Sequence, residues 1–416
     1  MISEAPLLRV RGLKTRFGIR EGTVRAVDGV DLTVHAGETL CVVGESGCGK
    51  SVTGRSIMQL VDEPGRVVAG EIWFRPRPGL DLGPPPGSGL RRIWRRDRSG
   101  SNDRSLTPSA RALDPGNGDQ SSEPSAGAGP STGSGREAEM IDLAPLPTGG
   151  PAMRAIRGKE ISMIFQEPMA ALSPVHTIGR QLTEMILLHE RLSPAEARDR
   201  AVDALRRVGL PSPEKRFDAY SFELSGGMRQ RAMIAMAIVC EPQLLIADEP
   251  TTALDVTTQR QILDLLRQMQ SDLGMAMIFI THDLGVVAEI ADRVAVMYLG
   301  VVVEECTVEQ LFDSPRHPYT RALLASVPDL DAPPGSRLST IRGAVPHPLD
   351  RPDGCPFVTR CDHATDRCSG DLPDLISGTG RRPRGVRCVH YPDPDAVDAG
   401  IGRDLDPLPE PAGAGR

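Results

Sequence analysis

Four short apolar runs, Thr39–Val43, Ile161–Phe165, Leu244–Ala247 and Met277–Ile280, punctuate the chain, each bounded by polar or turn residues. Four or five such residues without alternation predict strands buried on both faces of a parallel sheet. Between them the period lengthens. Ile262, Leu265, Leu266 and Met269 fall at i, i+3, i+4 and i+7, which places them on one face of a helix. Thr177–Gly209 has helical patterning and no strand, yet lies between two strands, so a helical subdomain is expected over about 177–240. Strands alternating with helices predict an α/β domain.

The pattern fails in two places. From Ser99 to Gly135, 20 of 37 residues are Gly, Pro or Ser. Such a stretch cannot offset its ordering entropy by burial, so 76–150 reads as a disordered insertion within a domain spanning 1–327. Residues 328–416 are rich in Pro, Arg and Asp around a cysteine cluster and read as a separate extension.

Composition narrows the function classes. The chain has 416 residues, with 48 basic and 55 acidic side chains and a net charge of −7. That balance argues against binding nucleic acid by bulk attraction to phosphate. The longest apolar run, Ala232–Cys240, is far short of the roughly 20 residues that span a bilayer. The N-terminus carries Glu4 and Pro6 without an apolar core, so an intracellular protein is expected, whose eight cysteines are not a disulfide framework.

The chemistry starts directly after the first apolar run. Gly44, Glu45, Ser46, Gly47, Cys48, Gly49, Lys50 and Ser51 read G-x-x-x-x-G-K-S, followed by Val52. Glycines let successive backbone N–H groups close around a phosphate, and the helix behind adds its positive end. Lys50 is expected at the β- and γ-phosphates of ATP, and the Ser51 hydroxyl on Mg²⁺. A later apolar strand ends in Asp248 and Glu249. Asp248 suits a second Mg²⁺ contact and Glu249 an attacking water.

Leu224-Ser225-Gly226-Gly227-Met228-Arg229-Gln230 forms a second anion nest ahead of a helical run. One nucleotide does not need two nests in one chain, so each nest would complete the site of another subunit. Here the sequence closely resembles the ATP-binding subunits of ABC transporters, over nearly all of 7–327 except the insertion. The resemblance implies a P-loop ABC-type nucleotide-binding domain with a helical subdomain. It also implies roles for single residues. Ser225, Gly226 and Gly227 form the signature loop, Gln166 the Q-loop contact to Mg²⁺ or water, and Asp255 the D-loop. His282 matches the switch histidine at the γ-phosphate, and Phe17 the aromatic that stacks on adenine.

Ser225-Gly-Gly-Met-Arg-Gln-Arg231 and Arg316-His-Pro-Tyr-Thr320 resemble the dipeptide, oligopeptide and nickel importer branch. The branch implies peptide import, two transmembrane permease subunits, an extracytoplasmic peptide-binding protein and a second ATP-binding subunit, favoured as a heterodimer. It implies a peripheral location on the cytoplasmic face of the inner membrane. The rivals are a soluble ABC ATPase acting on nucleic acid or ribosomes, and an importer of nickel or another small solute.

The extension carries Cys355, Cys361, Cys368 and Cys388 in the spacing C-x5-C-x6-C-x19-C. Four thiolates at one point suit tetrahedral zinc or an iron–sulfur cluster, and ligand type alone does not choose. The branch resemblance implies a [4Fe–4S] cluster, with zinc as the lesser occupant. Arg381, Arg382, Arg384 and Arg387 around the fourth cysteine read as a solvated basic run. Cys41, Cys48, Cys240 and Cys306 read as small packing residues.

Overall fold

The structure, a computed structural model, describes residues 5–80, 82, 94, 95, 140–166, 171–252, 254–327, 340–375 and 384–391. The strands are β1 (Pro6–Ile19), β2 (Gly22–His35), β3 (Thr39–Val43), β4 (Gly65–Phe74), β5 (Trp94–Arg95), β6 (Met140–Asp142) and β7 (Ile161–Ile164). They continue as β8 (Leu244–Asp248), β9 (Ala276–Thr281), β10 (Arg293–Tyr298), β11 (Val301–Thr307) and β12 (Gly385–Val386). The main sheet has the order β12-β11-β10-β3-β9-β8-β7, with β10, β3, β9, β8 and β7 parallel. β11 and β12 add antiparallel strands at its edge. A second, antiparallel sheet runs β2-β1-β4-β6-β5.

The four predicted strands fall where the apolar runs lie, and their lack of alternation has a direct cause. Cys41, Val43, Leu245, Ala247, Met277 and Phe279 point into one core, shared with the long helices. Leu40, Val42, Leu244, Ile246, Ile278 and Ile280 point into the other, against the antiparallel sheet. Each strand is buried on both faces because helices cover one and a sheet covers the other.

The helical block comprises Ile178–His189, Pro194–Arg207, Pro213–Phe217 and Gly226–Ile238. Its starts are written in the sequence. The Thr177 hydroxyl caps the first helix. Ser193 and Glu196 form a reciprocal capping box with Pro194 at the first helical position of the second.

One boundary differs from expectation: residues 140–150, read as part of the insertion, include β6, which pairs with β4 at Phe74↔Ile141, and Met140, Ile141, Leu143 and Leu146 are buried. A three-residue strand is too short to leave a periodic signature. The Gly/Pro/Ser-rich stretch itself lies outside the described residues. The Arg-rich run is also corrected in part. Arg384 and Arg387 are buried and paired with Glu304 at 3.1 Å and Asp31 at 2.9 Å, rather than solvated. The Arg384–Glu304 pair and β12 fasten the extension to the edge of the main sheet, and the Arg387–Asp31 pair ties it to β2 of the antiparallel sheet. Arg381 and Arg382 lie outside the described residues. Among the described residues no helix is long and apolar enough to cross a membrane.

Candidate functional site

The C-terminal ends of β3, β7, β8 and β9 meet at one edge of the parallel sheet, where an open α/β sheet places its ligand. The phosphate loop leaves β3 and runs into the helix Lys50–Ile57. Only glycine fits two of its turns. Gly44 sits at φ +151° and Gly49 at φ +98°. A Cβ there would lie 2.2 Å from the Met297 and Ala26 carbonyl oxygens, respectively. Gly47, at φ +79°, faces open space. Ser46, Gly47, Cys48, Gly49, Lys50, Ser51 and Val52 line a cleft of about 210 Å³. Lys50 Nζ donates to the Gly44 and Glu45 carbonyl oxygens at 2.8 and 3.0 Å, which holds the ammonium over the loop.

Behind the loop stands the acidic pair. Ser51 Oγ donates to Asp248 Oδ1 at 2.7 Å. Asp248 is fully buried, and its Oδ2 has no hydrogen-bond partner among the described residues. Burial pushes its carboxyl pKa up, opposed by the Ser51 hydrogen bond. A buried carboxylate oxygen left unpaired beside a hydroxyl is a hard-oxygen site, and Ser51 with Asp248 fits Mg²⁺.

Glu249 is held from three sides. Its Oε2 accepts from Gln166 Nε2 and Thr252 Oγ1, both at 2.9 Å, and its Oε1 lies 3.2 Å from His282 Nδ1. Burial raises its pKa, but the hydrogen bonds from His282 and Thr252 outweigh that and hold it below the usual glutamate range. The carboxylate therefore stays ionised through the neutral range. Its backbone sits at φ +47°, a conformation costing a non-glycine residue about 1–3 kcal/mol. Three strand ends thus present Gln166, Glu249 and His282 as one hydrogen-bonded array, with Gln166 and Glu249 lining the cleft.

The other expected residues lie elsewhere. Ser225 caps the helix Gly226–Ile238 through its hydroxyl, and Gly226 and Gly227 form the first turn of that helix rather than a loop before it. None of the three lines the cleft. Asp255 caps the helix Val256–Leu273 by accepting from Thr258 N at 3.0 Å and Thr258 Oγ1 at 2.7 Å. Both features face outward. Phe17 is not among the residues that line the cleft. An added Cβ on Gly65 would lie 2.4 Å from its ring, so Phe17 rests on that glycine, and its cross-strand partner Val24 lines the cleft instead.

Sequence reasoning missed the reach of the extension. Arg360 forms a bidentate pair with Glu45 of the phosphate loop, Nη1 to Oε2 at 2.7 Å and Nη2 to Oε1 at 3.1 Å. Phe357 packs edge-on against Tyr298 and beside Tyr319, whose hydroxyl accepts from Glu45 N at 2.8 Å. Pro348 and Arg351 line the cleft itself. No local pattern marks these residues.

Cys355, Cys361, Cys368 and Cys388 line one small cavity of about 10 Å³. Burial pushes the Cys361 thiol up to about 11 and that of Cys388 up to about 12. Among the described residues, no three His, Cys, Asp or Glu side chains are placed to hold one metal ion. Cys41, Cys48, Cys240 and Cys306 are buried thiols.

The chain is similar to known proteins in sequence and in fold. The family model described as "ABC transporter" matches residues 27–94 and 135–252, and "Oligopeptide/dipeptide transporter, C-terminal region" matches residues 303–368. A putative peptide import ATP-binding protein of Brucella melitensis is 43% identical over 94% of this chain and 98% of its own. The dipeptide transport ATP-binding protein DppD of Escherichia coli is 40% identical over 94% of this chain and 98% of its own. Among solved structures, a bacterial ABC transporter cassette in dimeric form matches with a TM-score of 0.52 at 21% identity, covering 72% of this chain and 98% of that one. That last likeness is one of fold.

Proposed function

Because the chain belongs to the ABC transporter ATP-binding proteins, in their peptide-import group, we propose that its ATP hydrolysis powers peptide import through separate transmembrane subunits. The observation that carries this reading is Glu249, fixed between Gln166 and His282 beside the Ser51–Asp248 pair. ATP hydrolysis asks a protein for positioning and charge stabilisation more than for covalent chemistry.

Each part has a role in that work. The loop from Gly44 to Val52 cradles the phosphates through backbone N–H groups, and Lys50 adds a cation at their β–γ end. Ser51, Asp248 and Gln166 would hold Mg²⁺, which neutralises developing charge on the phosphate oxygens. Glu249, kept ionised by its neighbours, accepts the proton of the attacking water. His282 orients Glu249 and reaches the γ-phosphate. Gln166, at the end of β7, reports the state of the site toward the membrane subunits.

The outward-facing Ser225, Gly226, Gly227 and Asp255 support pairing with a second ATP-binding subunit, whose phosphates they would meet. The solved relative in dimeric form supports the same reading. A heterodimer is the arrangement we favour. The named relatives further support two permease subunits and an extracytoplasmic peptide-binding protein as partners, and peripheral attachment at the cytoplasmic face of the inner membrane. The same names favour peptides over nickel, and transport over action on nucleic acid or ribosomes. The domain reading that goes with this is an ATPase over 1–327 and a docked extension over 328–416. ATP-driven peptide uptake by the reconstituted complex tests it.

The four cysteines around one cavity support a [4Fe–4S] cluster. Zinc draws four sulfurs to about 2.3 Å from one centre, whereas a cluster holds its thiolates on separate irons. The four thiols line one cavity of the extension, and the likeness to the peptide-import branch is what favours the cluster over zinc. The cluster would serve to hold the fold of the extension. Anaerobically purified protein should be brown and carry about four irons per chain. A colourless preparation with one zinc, or with no metal, overturns the assignment.

A further inference from the structure

One end of the nucleotide cleft is built by a part of the chain that no ATP motif covers. Beyond the phosphate loop, its lining includes Val24, Arg25 and Ala26 of β2 together with Pro348 and Arg351 of the extension. The extension runs along β2: a Cβ on Gly22 would lie 3.3 Å from the Leu349 side chain, and Arg351 Nη1 donates to Asp28 Oδ2 at 2.7 Å. The Ala26 carbonyl abuts Gly49, so β2 flanks the phosphate nest. Gln166 and Glu249 mark the hydrolytic end of the same cleft. An ATP molecule whose γ-phosphate lies at Glu249 therefore directs its ribose and adenine toward β2 and the Pro348–Arg351 segment.

Arg351 is prepared for such a contact. Its side chain is only 9% exposed, and Asp28 holds it while also pairing with Arg16 at 2.5 Å. Its Nε has no hydrogen-bond partner among the described residues. Asp28 is shared between two guanidinium groups, so Arg351 keeps part of its positive charge and offers a ligand a flat guanidinium face at the cleft. Such a face suits a purine ring and ribose hydroxyls.

We propose that Pro348 and Arg351 form the nucleoside wall of the ATP site, with Arg351 binding the ribose–adenine portion. The proposal rests on the ATPase reading above. It makes the cysteine-bearing extension a component of the nucleotide site.

The test titrates Mg-ADP and Mg-tripolyphosphate onto the full chain, its Arg351→Ala and Arg351→Lys variants, and Pro348→Ala. Tripolyphosphate carries the phosphates without the nucleoside. Arg351→Ala should raise the Kd for ADP about 10-fold and leave that for tripolyphosphate within about twofold, and Arg351→Lys should recover little of the loss. Pro348→Ala keeps the Arg351–Asp28 pair and should weaken ADP selectively by a few-fold, so it serves even if the melting curve shows Arg351→Ala to be unfolded. An unchanged ADP Kd in the folded variants, or equal losses for both ligands, overturns the proposal. Failure of the parent chain to bind either ligand would instead undo the ATPase reading.

Discussion

Glu249→Gln binds ATP as the parent chain does and loses turnover by about 10²–10⁴-fold, the worth of one positioned proton acceptor. The amide has the shape of the carboxylate, so it retains an oxygen to accept from Gln166 or Thr252. What it lacks is basicity. In the proposed mechanism phosphate binding rests on other groups, the loop backbone, Lys50 and the Ser51–Asp248 pair, none of which needs the Glu249 charge. The variant should therefore accumulate in the ATP-bound, closed state. Nucleotide affinity by titration and phosphate release by the assembled complex measure the two halves separately. Near-normal phosphate release would remove Glu249 from the role of base.

Arg360→Ala should be the most destabilising single change in the extension. The guanidinium is 4% exposed and makes four hydrogen bonds: two to Glu45, one to the Tyr298 hydroxyl at 3.2 Å, and one from Nε to the Arg342 carbonyl at 2.9 Å. Removing one partner of a buried ion pair costs about 3–5 kcal/mol, and Glu45, a quarter exposed, places this pair at the low end. The orphaned carboxylate would also add negative charge beside the phosphate loop and weaken ATP binding. Differential scanning calorimetry should show a melting temperature lower by several degrees. Adding Glu45→Gln to Arg360→Ala should return part of the loss, because the stranded charge is gone. An unchanged melting temperature, or losses that simply add, would show that the pair does not dock the extension.

How far the sequence disclosed this molecule depends on the range of each interaction. Four of the five described parallel strands, all but β10, were legible because burial on both faces leaves unbroken apolar runs such as Leu244–Ala247. The phosphate loop was legible because its work is done by consecutive backbone groups, and the glycines that permit it sit together. Two partners of Glu249, Gln166 and His282, were legible one by one at the ends of separate strands, whereas Thr252 was not. That they hydrogen-bond to one another is a product of strand order, which brings β7, β8 and β9 side by side.

The position of Phe17 beside the cleft rather than in its lining was not legible. The β1–β2 pairing shifts register at several points, including between Thr15 and Arg16, and each shift changes which face a side chain takes. No one-dimensional pattern reports that. The extension was the least legible part. Arg360 reaches Glu45 across 315 positions, Arg351 reaches Asp28 across 323, and Arg387 reaches Asp31 across 356. Ion pairs at such separations leave no periodicity, so a set of docking contacts looked like a polar tail.

Uptake of labelled peptide into sealed vesicles shows whether ATP turned over at Glu249 drives peptide import. The vesicles carry the complete complex, with ATP on the side of this chain and peptide-loaded binding protein on the other. ATP-dependent accumulation, abolished when Glu249→Gln replaces the parent chain, is the predicted result. Accumulation that persists with Glu249→Gln, or ATP hydrolysis without any peptide uptake, would contradict the account.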